Sequence, residues 1–317
     1  MRFTQINYLS EAAQAGERRP TFVAIGSFDG VHKGHQLLLR KMVEAAKEVG
    51  ARTAVLTFFP HPKRVIQQLE GRYYLTTIDE RVEQIKAAGV DILIVRAFDE
   101  QVRNTRAADY MARLQEHLDM RQLWGGDFAL GYQREGDVPF LRELGAQMGY
   151  TVELVDEMVS LNGRFVSSSR VRTSLADGDV ADVAACLGRP YSLRGIIVEG
   201  KKLGRTINFP TANMQIWDEQ LMPCHGVYAT YAYLGDRRFK AATNVGTRPT
   251  VNGKTVTVEA HLLDFDEDIY GEEMRLEFID RVRSEMKFDG LEALKAQIQA
   301  DVRQIRSTLS GLLPYTF

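Results

Sequence analysis

Two histidines stand three positions apart in a glycine-rich segment, GSFDGVHKGH, which runs from Gly26 to His35. The segment follows an apolar run and precedes a helical pattern. It therefore lies at a predicted helix N-terminus, where backbone N–H groups and a positive dipole end favour anions. Glycines let a phosphate approach the backbone closely, and His32 and His35 can stabilise charge on a phosphoryl group. The spacing predicts phosphoryl-transfer chemistry; the alternative is a glycine-rich turn with two surface histidines.

A second segment suited to phosphate binding, SSSRVR, begins at Ser167. Ser168 and Ser169 stand at a predicted helix start, where hydroxyl and N–H groups bind anions. Arg170 and Arg172 can each form bidentate hydrogen bonds with a triphosphate. Taken alone, the segment also fits a helix N-cap followed by solvated arginines.

A third segment, GKKLGRTINFPTANM, runs from Gly200 to Met214. Thr211 and Asn213 are two residues apart, so an extended chain presents both on one side. Their hydroxyl and amide oxygens are hard ligands that suit Mg²⁺ held together with substrate phosphates. Gly200 and Gly204 leave N–H groups free to line those phosphates. The alternative is a β-turn with local side-chain capping.

A carboxylate that suits general-base chemistry lies in the segment KTVTVEAHLL, Lys254–Leu263. The segment alternates with period two, so its apolar residues share one face and its polar residues the other. Glu259 stands on the polar face, where it can accept a hydroxyl proton during phosphoryl transfer. The alternative is a solvated glutamate on a strand. The polar face comprises Thr255, Thr257, Glu259 and His261, and the apolar face Val256, Val258, Ala260 and Leu262.

The elements that must position the first two segments alternate between strands and helices. Short apolar runs predict strands at Thr21–Ile25, Arg52–Phe59, Val90–Val95 and Thr151–Val155. Spacing of three and four predicts helices at Gly34–Val49, Ile78–Ala88, Thr105–Leu118 and Asp137–Met148. Such alternation predicts a parallel sheet with helices on both faces and ligands beyond the carboxyl ends of its strands.

The second half of the chain has a different pattern. After a short helix and a break at Gly188–Pro190, strands follow strands. They are predicted at Leu193–Val198, Val227–Leu234, Arg238–Val245, Lys254–Leu263 and Met274–Val282. One helix with an apolar face is predicted at Leu291–Leu309. This order predicts a small closed or nearly closed β-barrel with a terminal helix.

The composition of the chain argues against several classes of protein. The 317 residues include 40 basic and 42 acidic side chains, a balance that argues against non-specific nucleic-acid binding. No apolar run reaches the about 18 residues that cross a bilayer, and the polar N-terminus does not resemble a signal peptide. Two cysteines, Cys186 and Cys224, argue against a disulfide framework. We expect a cytoplasmic protein of two domains without nucleic-acid or membrane partners; its oligomeric state, monomer or weak oligomer, stays open.

The segments together resemble those of the bacterial bifunctional riboflavin kinase/FMN adenylyltransferases, or FAD synthetases. GSFDGVHKGH resembles G-x-F-D-G-x-H-x-G-H of the HxGH nucleotidyltransferases, and SSSRVR is similar to S-S-T-x-I-R. TFFPHP at Thr57–Pro62 resembles TFxPHP, and GDFALGYQREGD at Gly126–Asp137 resembles G-x-D-F-x-x-G. The third segment is similar to G-R-x-x-G-F-P-T-A-N, and EAHLLDF matches the kinase domain. Asn244–Pro249 (NVGTRP) is also similar to a family motif, and we interpret it as a turn that supports the barrel.

The resemblance implies a Rossmann-like adenylyltransferase domain at residues 1–184 and a barrel-shaped riboflavin kinase domain at 185–317. ATP would phosphorylate riboflavin to FMN, and a second ATP would adenylylate FMN to FAD with release of pyrophosphate. Mg²⁺ is the implied cofactor. The implied catalytic residues are Glu259, His32 and His35. The implied nucleotide-binding residues are Gly26, Phe28, Asp29, Gly30, Gly34, His61, Ser168, Ser169, Arg170, Arg172, Gly200 and Gly204. Asp127 and Arg283 would bind flavin, and Thr211 and Asn213 the metal.

Two departures from the family pattern leave alternatives open. Ala129–Leu130 stand where a basic-aromatic pair is common, and Asn208 stands where glycine is common. Either change could silence one site and leave a monofunctional enzyme. A regulatory protein that binds flavin or nucleotide without turnover is the other alternative.

Overall fold

The computed structural model describes residues 3–155, 157, 159–200, 207, 209–250 and 253–310. Packing of the backbone divides the chain into two compact units, Met1–Ser168 and Ser169–Phe317. The domain boundary near residue 184 stays a prediction from the sequence. None of the helices in the described part of the chain has both the length and the apolar character needed to cross a membrane.

The first unit contains a six-stranded sheet in which every neighbouring pair is parallel, as predicted. Its strands are β1 (Thr4–Ile6), β2 (Thr21–Ile25), β3 (Arg52–Phe58), β4 (Ile92–Arg96), β5 (Met120–Gly125) and β6 (Thr151–Leu154). Their order across the sheet is β1-β4-β3-β2-β5-β6. Two of them, β1 and β5, were absent from the sequence prediction, although β5 lies directly beside the central β2.

Helices cover both faces of this sheet. They are α1 (Lys33–Val49), α2 (Pro62–Ile66), α3 (Ile78–Ala87), α4 (Glu100–Asn104), α5 (Ala107–Leu118) and α6 (Val138–Met148), with short 3-10 helices at Leu9–Ala15 and Tyr132–Arg134. Apolar residues of α1 and α3 pack on one face of the sheet, and those of α5 and α6 pack on the other. A two-stranded hairpin, β7 (Ser160–Leu161) and β8 (Arg164–Phe165), follows β6.

The second unit is a closed barrel of six antiparallel strands, which confirms the predicted class. The strands are β9 (Tyr191–Val198), β10 (Ala212–Ile216), β11 (Gly226–Leu234), β12 (Arg237–Thr250), β13 (Gly253–Leu262) and β14 (Glu273–Arg283). Around the barrel they run β10-β13-β12-β11-β14-β9. The prediction of a turn at Asn244–Pro249 is wrong, because this segment continues β12 and pairs with β13.

In the described part of the chain, the barrel strands are accompanied by the helices α7 (Ser168–Asp177), α8 (Val180–Leu187) and the terminal α9 (Leu291–Thr308). Ile305 of α9 and the following Leu309 pack on Val227, Ala229 and Tyr231 of β11. The Tyr231 hydroxyl also donates to the Leu309 carbonyl at 2.9 Å. The outer face of β11 is therefore covered by the end of the terminal helix.

Candidate active sites

The first candidate site lies where β2 ends and α1 begins. His32 is the N-cap of α1, and its Nδ1 accepts a hydrogen bond from the backbone N–H of His35 at 3.3 Å. The two imidazole rings stack with centroids 3.7 Å apart. A Cβ at Gly34 would lie 3.2 Å from the His32 ring. Glycine at this position therefore avoids a close contact with the stacked pair. The predicted pair is thus brought together at a helix N-terminus.

His35 is held in a form that resists protonation. Burial lowers its pKa well below the usual value, and His32 and Arg81 lower that pKa further because both oppose another positive charge. Its Nδ1 is buried and has no hydrogen-bond partner within the described residues. A neutral imidazole can both donate and accept a hydrogen bond, so His35 offers a polar contact without adding charge.

The loop between β2 and α1 is held in an unusual backbone shape. Phe28 and Val31 adopt positive φ angles of 47° and 38°, which cost energy in residues that carry a Cβ. Asp29 lies between them and is 1% exposed. Its carboxylate accepts hydrogen bonds from the N–H groups of Leu75 at 3.1 Å and Thr76 at 3.3 Å. The loop conformation is therefore held by backbone N–H groups of Leu75 and Thr76, which lie outside the loop.

Arg81 of α3 completes this buried network, and no motif in the sequence indicated it. Its Nη2 lies 3.4 Å from Oδ1 of Asp29, and both side chains are almost wholly buried. Its Nη1 donates to Oγ1 of Thr57 and to the carbonyl of Phe58, at the end of β3. Asp29 therefore links the loop to α3 through its contact with Arg81. Its predicted part in nucleotide binding stays a prediction.

Two other predicted segments reach the same loop. The Ser168 hydroxyl donates to the Asp29 carbonyl at 3.0 Å. The Thr57 hydroxyl donates to the Ser27 carbonyl at 2.9 Å. His61, from the segment TFFPHP, caps α2 by accepting the Lys63 N–H at its Nδ1, 3.1 Å away. The structure thus brings Ser168 and the end of β3 to the loop and gives His61 a capping role.

The remaining predicted residues of the first site have other surroundings. Asp127 is exposed just beyond the end of β5. Ser169, Arg170 and Arg172 belong by packing to the second unit. There Arg170 forms an ion pair with Asp182 of α8, with its Nε 3.0 Å from Oδ2. The nucleotide and flavin roles of these four residues stay predictions.

The second candidate site lies on the barrel, on the face of β13 that points away from its core. Val258 and Ala260 are buried, so the intervening Glu259 is on the opposite side, as the predicted alternation requires. Glu259 stands directly opposite Asn213 of β10. On its other side it stands directly opposite Asn244 of β12. The carboxylate therefore has an amide residue as its cross-strand neighbour on both sides.

Thr211 and Asn213 alternate with the buried Ala212 and Met214, so both lie on the less buried side of the chain. A Cβ at Gly200 would lie 2.6 Å from Cγ of Asn213, so a side chain at position 200 would force the Asn213 amide to shift. The Thr211 hydroxyl and the Asn213 amide oxygen are hard-oxygen donors, which fit Mg²⁺ shared with phosphates. Gly204 and Asn208 lie outside the described residues.

A cavity of about 730 Å³ adjoins Thr211. Its lining includes Ile197, Pro210, His261 and Tyr270. The His261 Nδ1 lies 2.7 Å from the Pro210 carbonyl and links the two walls. This volume is in the range of pockets that hold a small-molecule ligand. Four acidic residues, Asp264, Asp266, Glu267 and Asp268, also line it.

Arg283, predicted to bind flavin, is engaged with the terminal helix. Its Nε and Nη2 donate to the Asp301 carboxylate at 3.1 and 2.8 Å, and its Nη1 donates to the Ser284 carbonyl at 3.0 Å. Asp301 is almost fully buried. The structure gives Arg283 an anchoring role that the sequence did not indicate; its contact with flavin stays a prediction.

Comparison with known proteins covers both units. A family model described as FAD synthetase matches residues 14–170, and one described as riboflavin kinase matches 187–309. A bifunctional riboflavin kinase/FMN adenylyltransferase of Haemophilus influenzae is 35% identical over 288 residues, 90% of this chain and 93% of that protein. The Bacillus subtilis protein of the same description is 32% identical over 302 residues, 93% of this chain and 95% of that one.

A solved structure described as a macrolide-efflux protein from Streptococcus pneumoniae has the same fold over nearly the full length. It is 30% identical to this chain, with a TM-score of 0.85. The alignment covers 95% of this chain and 98% of the other.

Proposed function

Because the chain belongs to the bifunctional riboflavin kinase/FMN adenylyltransferase family and so makes FAD from riboflavin, we propose that each unit catalyses one of the two steps. The barrel site phosphorylates riboflavin, and the site at the start of α1 adenylylates FMN. The small-molecule substrates are riboflavin, FMN and ATP. The proposed division rests on the order of the two family matches along the chain.

In the kinase step, Glu259 accepts the proton of the terminal ribityl hydroxyl as that oxygen attacks the γ-phosphorus of ATP. The bond from the γ-phosphorus to the bridging oxygen breaks, and ADP leaves. The observation that carries this role is the register of β10 and β13, which sets Glu259 directly opposite Asn213. A base must lie within reach of both the hydroxyl and the phosphate-binding residues, and this pairing supplies that proximity.

Thr211 and Asn213 would hold Mg²⁺ jointly with the phosphates of ATP. Two neutral oxygens do not bind the ion on their own, so the phosphates supply the remaining ligands. When bound, the ion neutralises charge on the phosphoryl group. Gly200 lies close to the Asn213 amide, and its N–H group is a candidate donor to the phosphates. The phosphate contact of Gly204 stays a prediction from the sequence.

In the adenylylation step, a phosphate oxygen of FMN attacks the α-phosphorus of ATP, and pyrophosphate leaves. His32, His35 and the N–H groups at the start of α1 stabilise the charge that develops on the α-phosphate. No covalent intermediate with the chain is needed, since the FMN phosphate is itself the nucleophile. Gly26, Phe28, Gly30 and Gly34 shape this cradle, and Ser168 contacts it through the Asp29 carbonyl.

The test is a time course with the purified chain, riboflavin, ATP and Mg²⁺, in which the flavins are separated chromatographically. We expect FMN to appear first and FAD to follow. FMN without FAD would mean that the adenylylation site is silent. The absence of both products would contradict the enzyme assignment. Omission of Mg²⁺ should stop FMN formation; unchanged formation in the presence of chelator would contradict the proposed role of Thr211 and Asn213.

A cytoplasmic location, the lack of nucleic-acid partners and a monomeric or weakly oligomeric state stay predictions from the sequence. Size-exclusion chromatography with light scattering measures the last of these directly.

A further inference from the structure

A polar row crosses three neighbouring strands of the barrel and extends beyond the residues named so far. Asn213 on β10, Glu259 on β13 and Asn244 on β12 are direct cross-strand partners in succession. Directly opposite residues have Cβ atoms about 5 Å apart and side chains on the same face. Asn244 is therefore the neighbour of the proposed base on the side away from the proposed metal ligand.

Packing on one side of Asn244 would also accept an apolar residue. On its other side Asn244 faces Val227 of β11, which is buried beneath the end of α9. An apolar side chain at 244 would continue that packed patch. The Asn244 side chain makes no hydrogen bond to any of the described residues, so its amide is not committed to holding the barrel together.

Gly246 keeps open the space into which this amide points. A Cβ at Gly246 would lie 3.1 Å from Nδ2 of Asn244 and 3.3 Å from Cδ of Glu285, with the Glu285 Oε1 closer still. Nδ2 of Asn244 and the Glu285 carboxylate thus both lie close to Gly246, and Glu259 is the cross-strand neighbour of Asn244 on β13. An asparagine amide carries two N–H donors, and both neighbours are acceptors when ionised.

We infer that Asn244 is a positioning residue for Glu259. In the complex with substrates its amide donates a hydrogen bond to the Glu259 carboxylate and holds that carboxylate toward the ribityl hydroxyl. Hydrogen bonds of this kind often form fully only in the substrate complex. The inference rests on the proposed function, since it assigns Asn244 a role only through Glu259.

The test replaces Asn244 with leucine, which has a similar size and no donor. We expect the kcat of riboflavin phosphorylation to fall at least about tenfold, as losses of supporting hydrogen bonds do, while the KM values for riboflavin and ATP stay within about twofold. Asn244→Gln keeps the amide and should recover part of kcat. Gln215→Leu removes an exposed amide that lies two residues along β10 from Asn213 and is not directly opposite Glu259, and it should leave kcat unchanged.

A double-mutant cycle separates positioning from a general structural effect. In the Glu259→Gln background, Asn244→Leu should cause no further loss, because the group it positions is gone. A full additional loss, a change confined to KM, a wild-type kcat in Asn244→Leu, or no recovery in Asn244→Gln would each overturn the inference. If the leucine variant fails to fold, Asn244→Ala, which removes the amide and adds no charge, serves in the same cycle.

Two controls keep the outcomes distinct. FAD formation from supplied FMN, measured on the same variants, reports whether the chain is intact and should stay at the wild-type rate. Glu259→Gln alone tests the proposed function: if it leaves kcat unchanged, the assignment of the base fails. If it lowers kcat while Asn244→Leu does not, only the inference about Asn244 fails.

Discussion

The two candidate sites are built in different ways. In the first unit, a buried network holds a strained loop, and the loop delivers backbone N–H groups and two stacked histidines to one helix start. In the barrel, the pairing of three strands sets Asn213, Glu259 and Asn244 side by side. The first site thus depends on contacts between residues far apart in sequence, and the second on strand register.

This difference separates the mutations that should damage each site. Substitutions in the buried network of the first unit act through folding and loop shape, and they should leave riboflavin phosphorylation intact. Substitutions on the outer face of the barrel act on local geometry, and they should leave FMN adenylylation intact. The chain carries its own control for every variant, since each activity can be measured with its own flavin substrate.

The largest effect is expected from Arg81→Met. It leaves the Asp29 carboxylate buried without its cation, and removal of one partner of a buried pair costs about 3–5 kcal/mol. Urea unfolding of the first unit should show that loss, and FAD formation from FMN should disappear while FMN formation continues. The double variant Asp29→Asn/Arg81→Met should regain stability; a double variant no more stable than Arg81→Met would mean that the pair does not matter.

Gly200→Ala should act on the barrel site alone. The added methyl group would lie 2.6 Å from Cγ of Asn213, so the amide must shift. A displacement of about 1 Å in a phosphoryl-transfer site lowers the rate by roughly 100-fold. Initial rates of FMN formation measure the loss. A wild-type rate would show that Asn213 is not where the chemistry requires it.

Arg283→Met and Asp301→Asn should weaken the attachment of α9 to the barrel by similar amounts. Arg283 is partly exposed, so we expect a smaller loss than for Arg81, about 1–2 kcal/mol in the second unit. Thermal unfolding followed by circular dichroism measures it. A rise in the riboflavin KM in Arg283→Met but not in Asp301→Asn would show the predicted flavin contact; unequal stability losses would contradict the anchoring role.

The smallest effect concerns the dependence of stability on pH. The unfolded chain protonates His35 near its ordinary pKa of 6.5, whereas the folded chain does so only at lower pH. Below pH 6.5 the unfolded state binds more protons, so the free energy of unfolding falls as the pH falls, by up to about 1.4 kcal/mol per pH unit. Urea titrations at several pH values should show a shallower slope in His35→Gln. An identical slope would contradict the lowered pKa.

The sequence predicts most of the fold because most elements carry their own pattern. Strands such as β2 and β3 are continuous apolar runs, and α1 ends at Gly50, which adopts the left-handed conformation that glycine favours. The sequence does not predict β5 (Met120–Gly125), because Arg121 and Gln122 interrupt its apolar residues. Only its pairing with β2 identifies it as a strand. The prediction of a turn at Asn244–Pro249 is wrong because strand pairing again decides the structure. The proline near the end of β12 still pairs with a residue of β13.

The site residues divide along the same line. His32, His35, Thr211, Asn213 and Glu259 stand in local segments whose spacing indicates chemistry. The residues that hold other parts of the sites in place have no such local signal in the sequence. Arg81 reaches Asp29 across 52 positions, and Asp301 reaches Arg283 across 18. Nothing in the sequence around either residue distinguishes it from a surface charge, so only the folded chain reveals the contact.

A reciprocal pair of variants tests whether two independent sites carry out the two steps. Initial rates of FMN formation from riboflavin and of FAD formation from supplied FMN are measured for Glu259→Gln and His35→Gln. We expect Glu259→Gln to lower the first rate by about 100-fold or more and to leave the second unchanged. We expect the reverse for His35→Gln. If either substitution stops both reactions equally, the account of two separate sites is wrong.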